Sequence, residues 1–282
     1  MLVELDRKSM QTWLLKLVSN IFQALPVKEA GLLAGILFGD KSGFSRGFYN
    51  DLKNIGIVHI VVVSGMNVMI LARFFIESLA GLIGRKWAIL LGLSVIWFYS
   101  LMIGWQPPIL RAVLLVTFLY WAQLLGRKFN LGRVIVLIIL MMILADYTML
   151  SQVSFWLTFI GFGAVVLDPY WVWLWITPVL ALVFGRISLI APLANALVLF
   201  LVEIITIIGG LGAVLNSKFI LWLIMPLLRY IIIVTNLLGQ LKWSSLTIKF
   251  NWPMMIGSYL LLIWFYLKRR DLKQKKPNFT GS

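Results

Sequence analysis

The chain has 282 residues, of which 61% are hydrophobic and only 12% are charged. Because a soluble protein of this length needs many charged side chains on its surface, this composition excludes an ordinary soluble domain and predicts a membrane protein. The formal net charge is +15. Basic cytoplasmic loops explain such an excess through the positive-inside rule, and binding of nucleic-acid phosphates is the alternative explanation.

Several kinds of chemistry are excluded or disfavoured by what the sequence contains. There is no cysteine, which excludes disulfides and cysteine nucleophiles, and His59 is the single histidine. Zinc hydrolases use several histidines, so the histidine count argues against a metal enzyme. The sequence also has no Walker A motif, which argues against an ATPase. We therefore predict a protein that is not an enzyme and needs neither a cofactor nor a metal.

The first 56 residues predict elements that do not span the membrane. In residues 9–25, apolar side chains recur at helical spacing between polar ones, as in an amphipathic helix lying on the bilayer. The apolar piece at residues 30–38 follows Pro26 and is shorter than the roughly 20 residues that a span requires, so we expect it to be re-entrant or interfacial. The polar residues 39–56 predict a turn and a second surface helix.

Nine apolar segments follow, and they predict an all-α fold, a polytopic transmembrane helical bundle with broken helices and N-terminal amphipathic surface helices. The predicted spans are residues 57–83, 86–105, 109–125, 131–146, 148–167, 170–184, 187–211, 218–240 and 253–267. With nine spans, all the basic turns between them can face the cytoplasm, which predicts a cytoplasmic C-terminus. Residues 1–56 then form interfacial helices, residues 57–267 the transmembrane domain and residues 268–282 a basic cytoplasmic tail.

Polar residues inside apolar spans mark the candidate site, because a charge at mid-bilayer costs about 2.5 to 3.5 kcal/mol. In the first span, Ser64 and Asn67 share one helix face, and Gly65 between them allows a break. The pair Pro107-Pro108 begins a later helix, so Arg111 falls in its first turn. Arg111 is either an arginine that snorkels to the surface or a phosphate contact at a pore mouth.

The fifth predicted span combines aromatic and polar side chains. Gln152 and Phe155 share a face with Phe159, and Ser154 lies on a neighbouring face. Aromatic rings beside polar groups suit the stacking of nucleic-acid bases, and they also suit ordinary helix packing, which is the commoner arrangement.

The seventh and eighth predicted spans carry polar residues and prolines where apolar residues are expected. The seventh has a break at Pro192, followed by Asn195 and Glu203, and the eighth has Arg229 and Asn236. Broken helices that line a cavity have this pattern. Glu203 and Arg229 can pair across the two helices. A binding site of this kind also suits a small-molecule or lipid transporter, which is the main alternative function.

A third function considered is an intramembrane hydrolase that uses Ser64 and His59. Their spacing of five residues places them about 140° apart on a continuous helix, so they cannot form a catalytic pair there.

Four segments, in order, resemble the competence domain of ComEC-type DNA internalisation proteins. They are residues 24–72, residues 104–112 (GWQPPILRA), residues 151–159 (SQVSFWLTF) and residues 187–203 (ISLIAPLANALVLFLVE). The residues on matched positions are Gly39, Asp40, His59, Ser64, Gly65, Arg111, Gln152, Ser154, Phe155, Pro192 and Asn195. The chain departs from the family pattern at Asn67, where a histidine is usual, and in the order of the residues around Gln152.

The resemblance implies a membrane channel that takes up single-stranded DNA across the cytoplasmic membrane during natural transformation. The implied partners are single-stranded DNA, the lipid bilayer, a cytoplasmic helicase or translocase and an outer DNA receptor, with a separate nuclease possible because no metal-binding nuclease motif is found. Seven basic residues precede the first span and would form an outer collar that attracts phosphates: Arg7, Lys8, Lys16, Lys28, Lys41, Arg46 and Lys53.

Overall fold

The protein's computed structural model describes residues 2–62, 64–104, 106–128, 130–148, 153–167, 171–241, 244–247 and 250–274. The helices are α1 (Leu2–Ala24), α2 (Val27–Phe38), α3 (Arg46–Asn54), α4 (Val58–Val61), α5 (Gly65–Ile83), α6 (Arg85–Ile103), α7 (Pro107–Leu124), α8 (Leu131–Ala145), α9 (Val153–Leu167), α10 (Val172–Phe184), α11 (Ala191–Val214), α12 (Lys218–Leu223), α13 (Met225–Gly239) and α14 (Trp252–Gln274). Two short antiparallel strands, β1 (Arg186–Ser188) and β2 (Ser245–Thr247), place Arg186 opposite Thr247. The predicted helical bundle is confirmed.

Fewer helices than predicted are long enough to cross a membrane. Within the described part of the chain, five segments qualify by length and composition: Gly65–Ile83, Arg85–Ile103, Pro107–Leu124, Ala191–Val214 and Lys218–Gly239. The described helices therefore support fewer spans than the nine predicted, and the predicted span at residues 148–167 lies partly outside the described residues. At 1.5 Å per residue, α8 and α10 extend only about 22 Å and 20 Å, less than a hydrocarbon core of roughly 30 Å. The cytoplasmic C-terminus depended on nine alternating spans and stays a prediction.

The first predicted span is two helices, because the chain breaks between α4 and α5. The second helix begins at Gly65, where an added Cβ atom would lie 3.0 Å from the Cβ of Ala112 on α7. A second break separates α12 from α13 at Ile224, next to Pro226. Pro192, by contrast, does not interrupt a helix. It is the second residue of α11, so that span begins at Ala191 and continues unbroken.

The helix α2 lies inside the bundle, and the re-entrant or interfacial position of residues 30–38 in the membrane stays a prediction. Every residue from Glu29 to Phe38 is buried, and the helix packs against α1, α4, α11 and α13. Its glycines allow the following loop to fold back on it, since a Cβ added at Gly31 would lie 2.8 Å from the carbonyl oxygen of Gly43. A helix that is apolar on all sides is buried on all sides.

The helix α1 is amphipathic, as predicted, and covers one side of the bundle. It packs against α2, α6 and α11 with Ile21 fully buried, while Trp13 and Leu15 are exposed. The domain boundaries proposed at residues 57 and 268 stay predictions.

Candidate functional site

The first turns of α5, α7 and α11 lie at the same end of the bundle. An added Cβ atom at Gly65 would lie 3.0 Å from Ala112 in the first turns of α7. An added Cβ atom at Gly56, just before α4, would lie 3.0 Å from the Cβ of Ala191, the first residue of α11. The helix α11 also packs against α4 and α5. We name the predicted polar residues of these turns, Ser64, Asn67, Arg111 and Asn195, the helix-start cluster.

The positions of these turns follow from the local sequence. Pro107 and Pro108 occupy the first positions of α7, where a missing N–H is tolerated, and Pro192 does the same in α11. None of α5, α7 and α11 has a side-chain hydrogen bond capping its N-terminus. All three therefore direct the positive end of the helix dipole toward this end of the bundle. Free backbone N–H groups come from α5 and α11 only, because the first two residues of α7 are prolines and the next two N–H groups donate to the carbonyl oxygen of Gln106.

Arg111 is the largest fully buried side chain of the described residues, with a relative exposure of 2%. A snorkelling arginine keeps its guanidinium in water, so the burial of Arg111 rules out that alternative. A buried guanidinium is stabilised only by acceptors or by an anion nearby. Arg111 lies at the end of the bundle where α5, α7 and α11 begin, which makes this end electropositive and suited to an anionic group.

Asn67 holds the end of α2. Its Nδ2 atom donates a hydrogen bond to the carbonyl oxygen of Ile36 at 2.6 Å, and the Tyr99 hydroxyl donates to the carbonyl oxygen of Leu37 at 2.5 Å. The last carbonyls of a helix have no partner within the helix, so these two side chains satisfy them. The role of Tyr99 was missed by sequence reasoning, because a tyrosine within an apolar span gives no signal of what it contacts.

Three atoms of the helix-start cluster are buried and have no hydrogen-bond partner among the described residues. They are Ser64 Oγ, Asn67 Oδ1 and Asn195 Oδ1. A buried polar atom without a partner costs about 1 to 3 kcal/mol, so native structures keep few of them. The cluster thus has spare hydrogen-bonding capacity at the end of the bundle that also holds Arg111. A polar ligand or water at this end of the bundle would use it.

The predicted aromatic face on α9 is only partly described. Gln152 lies outside the described residues, as does the side chain of Ser154. Phe155 is buried in a small apolar cluster with Leu115 and Met142, and its ring lies 4.6 Å from that of Phe159. Since Leu115 is one turn beyond Arg111 on α7, Phe155 lies next to the helix-start cluster. Its ring is covered by side chains, which favours the helix-packing interpretation.

Arg229 pairs with Glu29, which corrects the predicted pair with Glu203. The Nε atom of Arg229 on α13 lies 3.0 Å from Glu29 Oε1 on α2, with side-chain exposures of 57% and 10%. Glu203 is exposed on α11, and Asn236 is half-buried on α13. Arg229 and Glu29 are 200 residues apart in the chain. No sequence pattern indicates this pair, because it forms only when α2 packs beside α13.

We expect Arg229→Ala to lower the stability of the purified protein in detergent by about 1 to 2 kcal/mol. Removing one partner leaves the Glu29 carboxylate buried without its cation, and the half-exposed arginine reduces the effect below that of a fully buried pair. The measurement is thermal unfolding. Adding Glu29→Gln removes the stranded charge and should recover most of the loss. Arg73→Ala is the control, since the Arg73–Glu77 pair is exposed. An equal loss in this control would contradict the argument.

A family model described as Competence protein matches residues 36–171 and 169–271. The chain belongs to the competence protein family. The match runs from α2 to α14 and includes the whole helix-start cluster, so it confirms the resemblance stated from the four sequence segments. Together with the apolar helices, it indicates a protein embedded in a membrane.

The chain is similar at low identity to three curated proteins. It is 27% identical to Competence protein ComA of Neisseria gonorrhoeae over 34% of this chain and 15% of that protein. It is 21% identical to Recombination protein 2 of Haemophilus influenzae over 83% of this chain and 35% of that protein. It is 22% identical to Uncharacterized protein YcaI of Escherichia coli over 64% of this chain and 28% of that protein. The chain thus spans about a third or less of the length of these relatives. No solved structure matches it.

Proposed function

We propose that this competence-family protein takes part in DNA uptake during natural transformation, as a membrane channel that passes a single strand into the cell. The observation that carries the proposal is the helix-start cluster. The N-termini of α5, α7 and α11, none of which is capped by a side chain, lie at the same end of the bundle as the buried Arg111. The N-termini of α5 and α11 can bind phosphates through backbone N–H groups, α7 contributes its helix dipole, and arginine binds phosphates through paired hydrogen bonds. This chemistry suits a phosphate backbone and does not depend on base sequence.

The remaining polar atoms of the cluster supply hydrogen bonds without sequence specificity. Ser64 Oγ, Asn67 Oδ1 and Asn195 Oδ1 are acceptors for water or for donor groups of a base. The channel acts as a conduit and not as an enzyme, and energy for transport comes from a cytoplasmic helicase or translocase. An outer DNA receptor delivers the strand, and a separate nuclease removes its complement. These partners belong to the proposal.

The proposal is tested in naturally competent cells that lack their own channel. We expect this chain to restore nuclease-protected uptake of labelled DNA, and Asn195→Ala to lower that uptake about fivefold, the effect of one lost hydrogen bond of about 1 kcal/mol. Asn50→Ala is the matched control, because Asn50 is exposed on α3 outside the cluster. The amount of each variant in the membrane is measured alongside. If inserted protein restores no uptake and binds no single-stranded DNA, the channel function is wrong and a transporter of small molecules or lipids replaces it.

A further inference from the structure

Glu203 is an exposed carboxylate at the centre of a candidate span. It comes twelve residues after Ala191 and eleven before Val214, the two ends of α11. Its side chain is exposed, and it makes no hydrogen bond or ion pair with any residue that the structure describes. Ionisable residues at this depth face protein or water and find a partner there, because the hydrocarbon of the bilayer offers none.

The surface around Glu203 is apolar and forms a single stripe along α11. Its exposed apolar members follow one another at intervals of three, four and eleven residues, and because eleven residues make about three turns they share one helix face: Leu193, Leu197, Phe200, Leu211 and Val214. A stripe of this length with one carboxylate in the middle fits a second transmembrane helix that carries one cation at the same depth.

Arg229 lies at that depth on the neighbouring span. It comes eleven residues after Lys218 and ten before Gly239, the ends of the span formed by α12 and α13. Within one protomer its Nε atom bonds to Glu29, and the side chain remains more than half exposed. A guanidinium has five N–H donors in a planar fork, so it can bind a second carboxylate while it holds the first.

We propose that a second copy of this chain covers the α11 stripe, with Glu203 of each protomer paired to the partner's Arg229. A twofold axis along the membrane normal keeps every residue of the partner at the same depth in the bilayer. Glu203 of each protomer then lies at the depth of the partner's Arg229, so the interface contains this ion pair twice. A DNA strand does not suit this surface, because a carboxylate repels phosphates. The inference goes beyond the proposed function and does not depend on it.

The register of the interface follows from the direction of the helices. Gly239 lies at the same end of the bundle as the helix-start cluster, because its carbonyl oxygen accepts a hydrogen bond from Asn54 Nδ2, two residues before Gly56. Phe200 is about one turn from Glu203 toward that end, and Ile233 is one turn from Arg229 toward the same end. Both side chains are exposed. Phe200 therefore lies opposite the partner's Ile233.

The absence of native cysteine allows a direct test by disulfide cross-linking in intact membranes. One chain carrying Phe200→Cys and another carrying Ile233→Cys, each with a different tag, are expressed together and oxidised. A disulfide requires Cα atoms within about 7 Å, so we expect cross-linked dimers for this pair. Leu223→Cys replaces Ile233→Cys as the control, because Leu223 is exposed toward the opposite end of the same span. Equal cross-linking of the two pairs, or none with either, would overturn the proposed interface.

The ion pair is tested separately by adding Glu203→Arg or Glu203→Gln to the Phe200→Cys chain. Because Glu203 is exposed in the protomer, neither change should unfold it, and a monodisperse peak in detergent checks this. Glu203→Arg places two guanidinium groups together and should reduce cross-linking at least about fivefold, with Glu203→Gln intermediate. Cross-linking that persists undiminished in folded Glu203→Arg protein would show that Glu203 does not hold the dimer. DNA uptake is not a readout here, so failure of this inference leaves the channel proposal standing.

Discussion

Arg111→Ala is expected to lower DNA uptake about 10- to 100-fold in competent cells whose only channel is this protein. Hydrogen bonds to a charged group contribute about 1.5 to 3 kcal/mol each, and Arg111 is the one residue of the helix-start cluster that carries a full positive charge. Arg111→Lys keeps the positive charge but cannot form two parallel hydrogen bonds to one phosphate. DNA uptake with this variant should therefore fall between that of the wild type and that of Arg111→Ala. The measurement is nuclease-protected labelled DNA per amount of membrane-inserted protein.

Two further variants separate a phosphate contact from a structural role of Arg111. Because this side chain is buried, Arg111→Ala also leaves a cavity. Arg111→Met fills much of the same volume without a charge, and replacement of a buried charge by an apolar residue is often tolerated. We expect Arg111→Met to be folded and still defective in uptake, and Arg73→Ala to behave as wild type. If uptake by folded Arg111→Met equals that of wild type, the phosphate role is wrong.

Gly31→Ala is expected to destabilise the protein by about 1 to 3 kcal/mol, the usual cost of overpacking a filled core. The new Cβ atom would lie within 2.9 Å of three backbone atoms of Gly43. Backbone atoms cannot move aside as the end of a flexible side chain does, and α2 is enclosed by α1, α4, α11 and α13. Thermal unfolding in detergent measures the loss, and less protein should accumulate in the membrane.

Gly47→Ala is the matched control for this substitution. Gly47 lies in the helix α3, and outside its own helix backbone and chain neighbours no described atom lies within 4 Å of its Cβ position. Alanine forms helices better than glycine, so this variant should be as stable as wild type or slightly more stable. A loss of stability in Gly47→Ala as large as in Gly31→Ala would show that the α2 contact is not close-packed.

The position of the helix-start cluster was predictable in part, because proline and glycine act locally. Pro107-Pro108 and Pro192 begin α7 and α11, and the break at Gly65 precedes α5. These residues fix backbone angles or remove an N–H group whatever surrounds them. Pro192 was nevertheless assigned to the interior of a span, because an apolar run does not mark where its helix starts.

The number of spans was overestimated for a related reason. Apolar runs at residues 131–146 and 170–184 read as spans, but their helices are too short to cross a bilayer alone. Hydropathy indicates that a segment prefers an apolar environment, but it does not determine the length of the helix that forms.

The sequence by itself determined that this protein is a membrane-embedded helical bundle of the competence family, since composition and ordered motifs are properties of the chain alone. Only the tertiary structure decided that α2 is buried, that Asn67 and Tyr99 bind its last carbonyls and that Arg229 pairs with Glu29. Each of these contacts joins residues far apart in the chain. An apolar pattern shows that a face is hidden from water, and it does not show which partner hides it, because hydrophobic burial is non-directional.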